Sequence, residues 1–146
     1  SLGFSIAVID IDHFKQINDR HGHDAGDLVL RGVAEALSTH CRGANVVGRQ
    51  GGEEFVALFD GANLHDALTA AERLRAGVEA TSHAFEQTTL RVTASIGVAT
   101  FDRDDQSFAD VLRRADRALY AAKAAGRNCV RTESTQTGDP AQSSAP

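Results

Sequence analysis

The feature that most constrains this chain is the run Phe4-Ser-Ile-Ala-Val-Ile9, which is almost continuously apolar and stops abruptly at Asp10-Ile-Asp12. Side chains alternate between the two faces of a strand, so a strand apolar on both faces must be covered on both. That excludes an open sheet wetted on one side and calls for helices against it. The strand also delivers two carboxylates to its carboxyl end, the edge where ligands bind in many open α/β sheets.

The rest of the chain supplies the covering elements. Residues 13–23 begin as a helix and Gly22 breaks it; residues 25–40 carry Leu28, Leu30, Val33, Ala34 and Leu37 at helical spacing, with Asp24 as the expected N-cap. Ala44–Gly48 and Phe55–Phe59 read as strands joined by a hairpin at Gly51-Gly52. Residues 63–80 repeat Leu64, Ala67, Leu68, Ala71, Leu74 and Val78, an amphipathic helix. Leu90–Val98 alternates, which predicts a half-buried strand with Thr93, Ser95 and Gly97 outward. Ser107-x-x-Asp110 resembles a capping box, opening a helix with Phe108, Val111, Leu112, Ala115, Leu119 and Ala122 on one face and Gly126 at its end. This order predicts an α/β (α+β) fold with helices on a mixed or antiparallel sheet. Residues 1–131 form the expected domain; residues 132–146, with no Leu, Ile, Val or aromatic residue, form an expected disordered tail.

Length and composition narrow the function. The 146 residues suit one domain, and 42% hydrophobic with 24% charged residues is ordinary globular chemistry. With 15 Lys and Arg against 20 Asp and Glu, a net charge of −5 argues against nucleic acid or direct membrane contact as a partner. Cys41 and Cys129 form no C-x-x-C pair, so a reducing, cytoplasmic location is expected. No apolar run reaches the length of a membrane span. The absence of methionine and the immediate entry into a strand read as a piece of a longer protein whose control lies upstream.

The chemistry-bearing residues fall into two groups. Asp10, Asp12, Glu53 and Glu54 meet in one small region if the first strand and the hairpin are neighbours. Two like charges 4 Å apart repel by about 4 kcal/mol at an effective dielectric of 20. Two readings stay open: the acids point apart into solvent, or a hard divalent cation gathers them. Arg113, Arg114, Arg117, Lys123, Arg127 and Arg131 then make a basic stripe in an acidic chain, either complementing a helix C-terminus or clamping an anion such as phosphate. The P-loop-like spacing Gly43 to Arg49 is rejected because it leads into a hairpin and lacks the Lys-Ser/Thr pair. His21, His23 and Asp24 are the ingredients of a zinc site, a remoter reading. His40, His65 and His83 are expected at the surface.

Together these segments resemble one family. Gly51-Gly-Glu-Glu-Phe55 is similar to the signature that names the GGDEF domain of bacterial diguanylate cyclases. It stands in order with Asp10-Ile-Asp-His-Phe-Lys15, Ile17-Asn-Asp19, Gly22-His-Asp-Ala-Gly-Asp27, Thr93-Ala-Ser-Ile-Gly97, Ala115-Asp116, Ala118-Leu-Tyr-Ala-Ala-Lys123 and Gly126-Arg-Asn128. The resemblance implies a mostly antiparallel sheet flanked by helices, as in class III nucleotide cyclases and the polymerase palm. It implies condensation of two GTP into cyclic di-GMP by a homodimer, under an upstream sensory domain. Asp10, Glu53 and the Ile11 carbonyl would bind Mg2+ or Mn2+; Asn18 and Asp27 would read guanine; His23 would line that pocket. Lys123 and Arg127 would hold the β and γ phosphates, with backbone N–H groups near His13 and Phe14 and with Lys15 alongside. Gly51 and Gly52 would let the backbone approach the phosphates. Glu54 would be a base or a second metal ligand. The alternative is a GTP-binding module, catalytically silent, that regulates a neighbouring domain. The chain departs from the family where an inhibitory R-x-x-D motif can lie: it reads Arg42-Gly-Ala-Asn45, with Arg73 as a further product-binding Arg. Losing that carboxylate predicts weakened inhibition by the product.

Overall fold

The computed structural model describes residues 3–41, 45–49 and 52–133. Its elements run β1 (Phe4–Ile11), α1 (Phe14–His21), α2 (His23–His40), β2 (Asn45–Arg49), β3 (Glu54–Asp60), α3 (Leu64–Glu79), β4 (His83–Phe85), β5 (Thr88–Leu90), β6 (Ala94–Thr100), α4 (Phe108–Ala124) and β7 (Val130–Thr132). Five strands form one sheet in the order β2-β3-β1-β6-β7. β1 lies at its centre, antiparallel to both β3 and β6, and β7 adds in parallel to β6. The mostly antiparallel sheet with flanking helices is the expected fold class.

The two-sided apolar pattern of β1 has the predicted consequence. Ala7, Ile9 and Ile11 face a core shared with Val29, Val33 and Leu37 of α2 and with Ala67, Ala71, Leu74 and Val78 of α3. Ile6 and Val8 face the other way, against Val111, Ala115 and Leu119 of α4. Each fully buried aliphatic side chain contributes about 1.5–3 kcal/mol, so both layers hold β1 in place. By the same alternation Asp10 falls on the α4 face.

Several local expectations are corrected. β6 is buried on both faces, not half-buried. A side chain at Gly97 would overlap the backbone of Ala115 and Leu119, so α4 lies directly on the supposed outward face. Gly22, not Asp24, is the N-cap of α2, and Asp24 sits in its first turn. Ser107 caps α4 without a side-chain bond. The Asp110 carboxylate instead accepts from the Gln106 N–H at 2.7 Å. Phe108 is not on the buried face; it is 48% exposed, and its ring stacks on Phe4 with centroids 6.2 Å apart. His83 is buried, on the hairpin β4–β5 that alternation did not reveal. β7 ends at Thr132, one residue beyond the expected domain boundary. Gly51, Arg42 and residues 134–146 lie outside the described residues, and of Asn45 only its backbone place in β2, opposite Leu58, is described.

Candidate active site

The register of β1 brings the acids together. Asp10 is paired across the ladder with Glu54 of β3 and with Ser95 of β6, so Asp10 and Glu54 point to the same face. The Ile11 N–H donates to the Glu53 carbonyl at 3.3 Å, which ties the approach to β3 to the end of β1. Lys123, in the last turn of α4, donates to the Asp10 carboxylate at 2.8 Å. The Asp10 side chain is only 7% exposed and that of Lys123 is 34% exposed. A largely desolvated carboxylate thus lies against an ammonium at the mouth of a cleft.

Asp12, two residues on, has a different role. Its carboxylate accepts from Thr93 Oγ1 and Ser95 Oγ, each at 2.6 Å, and from the Asn128 N–H at 3.1 Å. It is saturated by donors and clamps the turn after β1 to β6 and to the segment after α4. His13 follows in a left-handed conformation, φ 57°, and starts α1. A cavity of about 300 Å3 opens there, lined by Asp10, Ile11, Asp12, His13, Phe14, Lys15, Gln16, Asp19, Glu53, Lys123 and Arg127. Lys15 is paired with Asp19 at 3.0 Å on the exposed side.

The sequence-derived candidates therefore divide. Asp10, Ile11, His13, Phe14, Lys15, Glu53, Lys123 and Arg127 share this cavity. Asn18 lies one turn further along α1, and a side chain at Gly26 of α2 would overlap its Oδ1. That oxygen is buried and has no hydrogen-bond partner. His23 and Asp27 are exposed on the first two turns of α2, beside it. Glu54 does not line the cavity; burial first, then the charges of Asp10 and Asp116, push its carboxyl above the ordinary range. Gly52 is exposed beside Glu53. Arg73 belongs to a separate cavity of about 350 Å3 with Phe59, Ala62, His65 and Asp66. Its Nε is buried without a partner. Among the described residues no three His, Cys, Asp or Glu side chains are gathered to hold a metal by themselves, His21, His23 and Asp24 included.

Asn128 is a contributor that sequence reasoning quoted but gave no role. Its signal lies only in its place next to Arg127. The contacts it makes join residues 53, 49 and 116 positions away in the chain, which no local pattern displays.

The geometry has close counterparts. Residues 2–129 match the family described as diguanylate cyclase, GGDEF domain. Diguanylate cyclase A of Treponema denticola is 44% identical over 126 residues, covering 86% of this chain and 34% of the relative. Response regulator PleD of Caulobacter vibrioides is 45% identical over 130 residues, covering 86% of this chain and 28% of the relative. The chain thus spans about a third of the length of these curated relatives. Among solved structures, diguanylate cyclase SiaD of Pseudomonas aeruginosa, in complex with its activator SiaC, superposes with a TM-score of 0.83 at 38% identity, covering 88% of this chain and 49% of that one. The GGDEF domain of DgcB from Caulobacter crescentus, in complex with c-di-GMP, superposes with a TM-score of 0.81 at 36% identity, covering 89% and 77%. With a family match over residues 2–129 and relatives at 44–45% identity, the chain belongs to the GGDEF domain family of diguanylate cyclases.

Proposed function

We propose that this domain is a diguanylate cyclase that joins two GTP into cyclic di-GMP and releases two pyrophosphates, acting as a homodimer with one GTP per domain. The observation that carries this reading is the 2.8 Å contact between Lys123 and Asp10 in a cavity that also takes in Glu53 and Arg127. Carboxylates beside basic groups are what a divalent cation and a set of phosphates need together. Asp10 and Glu53 offer hard oxygen donors, with the Ile11 backbone beside them, and an ammonium is already drawn to Asp10. That donor set fits Mg2+ or Mn2+, ions held by one or two carboxylates plus substrate phosphates. When bound, such an ion polarises phosphoryl oxygens and offsets charge on the departing pyrophosphate.

The chain's own residues do the rest. Lys123 and Arg127 hold the β and γ phosphates, assisted by N–H groups at His13 and Phe14 and by Lys15. Asn18 and Asp27 read the guanine edge. The unpartnered buried Oδ1 of Asn18 supports this, because an acceptor left alone in the interior costs free energy that a guanine N–H relieves. His23 lines that pocket, and Gly51 and Gly52 keep side chains away from the phosphates. The 3′-hydroxyl oxygen of one GTP attacks the α-phosphorus of the other, and the bond to the pyrophosphate oxygen breaks. Glu54, its carboxyl raised by burial and acidic neighbours, takes the hydroxyl proton or serves as a further cation ligand. The same exchange with the nucleotides' roles reversed closes the ring, so two domains must face each other.

The domain works in the cytoplasm under an upstream sensory domain; no helix among the described residues is long and apolar enough to cross a membrane. Asn45 in place of a carboxylate weakens product inhibition through Arg42 and Arg73. Calorimetry of cyclic di-GMP against an Asp10→Ala variant tests this, and tight binding would refute it. The main reading is tested by incubating the protein with GTP and Mg2+ at several protein concentrations. Cyclic di-GMP should form at a rate steeper than first order in protein. Tight GTP binding with no product, even at high concentration, would assign the domain to silent regulation of a neighbour.

A further inference from the structure

Arg127 reaches the cavity from a turn that its backbone holds on one side only: the Gly126 N–H donates to the Lys123 carbonyl at 3.3 Å and the Arg127 N–H to the Ala122 carbonyl at 3.0 Å. Gly126, Arg127 and Asn128 follow α4 with φ of 115°, 66° and 50°. Glycine takes such angles freely and Asn more readily than most, but a residue such as Arg pays roughly 1–2 kcal/mol there. Two in succession persist only where their surroundings over-determine them. Asn128 supplies the restraint on the far side of Arg127. Its backbone N–H donates to Asp12 Oδ2 at 3.1 Å, its Oδ1 accepts from Arg75 Nη1 at 2.7 Å, and its Nδ2 donates to Glu79 Oε2 at 3.0 Å.

Arg75 is itself locked. Its side chain is 14% exposed and is held by Glu72 at 2.6 Å and by Glu79 at 2.9 Å. A guanidinium serves all these acceptors from one rigid plane, which an ammonium cannot do. Arg75 lies in α3 and does not line the cavity. Its only route to the cavity among these contacts is Asn128, the neighbour of Arg127.

We infer that Arg75 is a positioning residue: through the Asn128 carboxamide it fixes the left-handed turn that presents Arg127 to a polyphosphate. The inference rests on reading the cavity as a nucleotide polyphosphate site. It separates two functions of the domain, because α3 then sets the grip on phosphate without touching the groups that read the base.

The test is calorimetry on the full chain in Mg2+ with inorganic tripolyphosphate and guanosine as separate probes, alongside GTP and ATP. Arg75→Ala should weaken tripolyphosphate binding about tenfold, as small misplacements of a clamp do, and leave guanosine affinity unchanged. Asn128→Gly accepts the backbone angle without strain, so its folding is not at risk, and it should show the same split. Wild-type tripolyphosphate affinity in both variants overturns the inference. So does equal loss of both probes, which marks general structural damage. In either case a retained preference for GTP over ATP leaves the functional reading standing. A wild-type protein that binds tripolyphosphate, shows the split and yet does not prefer GTP sinks the guanine reading and keeps the positioning role. Binding of neither probe by the wild type overturns both.

Discussion

Asp10 and Asp12 sit two residues apart and do unlike work, and their neighbours decide which is which. Asp12 accepts three hydrogen bonds and is spent on structure. Asp12→Ala strands two hydroxyls and a part-buried N–H, so urea denaturation should record a loss of about 2 kcal/mol. Asp10 meets the Lys123 ammonium instead, and Glu54 opposite it is part-buried among acidic neighbours. The Glu54 carboxyl is raised above its ordinary 4.5 by burial, then by Asp10 and Asp116. A raised folded-state value means the charged form is disfavoured in the fold. The favourable contribution of this group is therefore complete below pH 4.5 and is lost as pH rises through the folded value. Glu54→Gln should raise Tm at pH 7, lose that gain near pH 4, and abolish cyclic di-GMP formation. Thermal melts at the two pH values check the first two outcomes. The residue types were legible in the sequence as a D-x-D and an E-E. Their division of labour was not, because donors to Asp12 come from residues 93, 95 and 128.

Elements were legible where they bury a regular stripe and illegible where they are short or where a face is covered from afar. The helices α2, α3 and α4 and the strands β1 and β3 follow their patterns to within a few residues. In sequence β6 reads as half-wet because Thr, Ser and Gly look like an outward face, yet α4 covers it. Gly97→Ala would push α4 off the sheet at Ala115 and Leu119, and α4 carries Lys123. The expected cost is about 3 kcal/mol by denaturation, with loss of GTP affinity. The hairpin β4–β5 has three residues a side, too few for a periodic signal. Its His83 ring lies over Gly32 of α2, with Nε2 and Thr81 Oγ1 2.9 Å apart. Thr81 gives its only proton to the Val78 carbonyl at 2.7 Å, so His83 Nε2 carries the hydrogen. Burial holds the imidazole below its ordinary 6.5. The neutral form is the folded one: stability is complete above pH 6.5 and falls as pH drops through the folded value. Urea midpoints measured from pH 7.5 to 5 should decline more steeply for the wild type than for His83→Gln.

At the scale of the molecule, the cavity of about 300 Å3 lies at the lower end of ligand-pocket size and holds one Lys123–Arg127 pair, the proposed phosphate clamp. On the proposed reading, a product made from two GTP would then require two copies. Fusing a dimerising leucine zipper upstream should raise cyclic di-GMP formation per domain at low protein concentration and leave the affinity of each domain for GTP unchanged. Nucleotide chromatography and calorimetry read the two arms. An increase in affinity in place of rate would point to a site completed by the partner and not to encounter alone.

The sequence by itself determined the layers, since a central strand apolar on both faces has to be sandwiched, and it determined which residue types the site can draw on. It also displayed the family signature in order along most of the chain. The tertiary structure decided which carboxylate meets an ammonium and which is spent on hydroxyl and amide donors, which glycine bears a helix, and how an arginine of α3 reaches the turn beside Arg127. The physical reason is common to all three. Burial and hydrogen bonding are settled by partners distant in the chain, whereas periodicity reports only the nearest few residues.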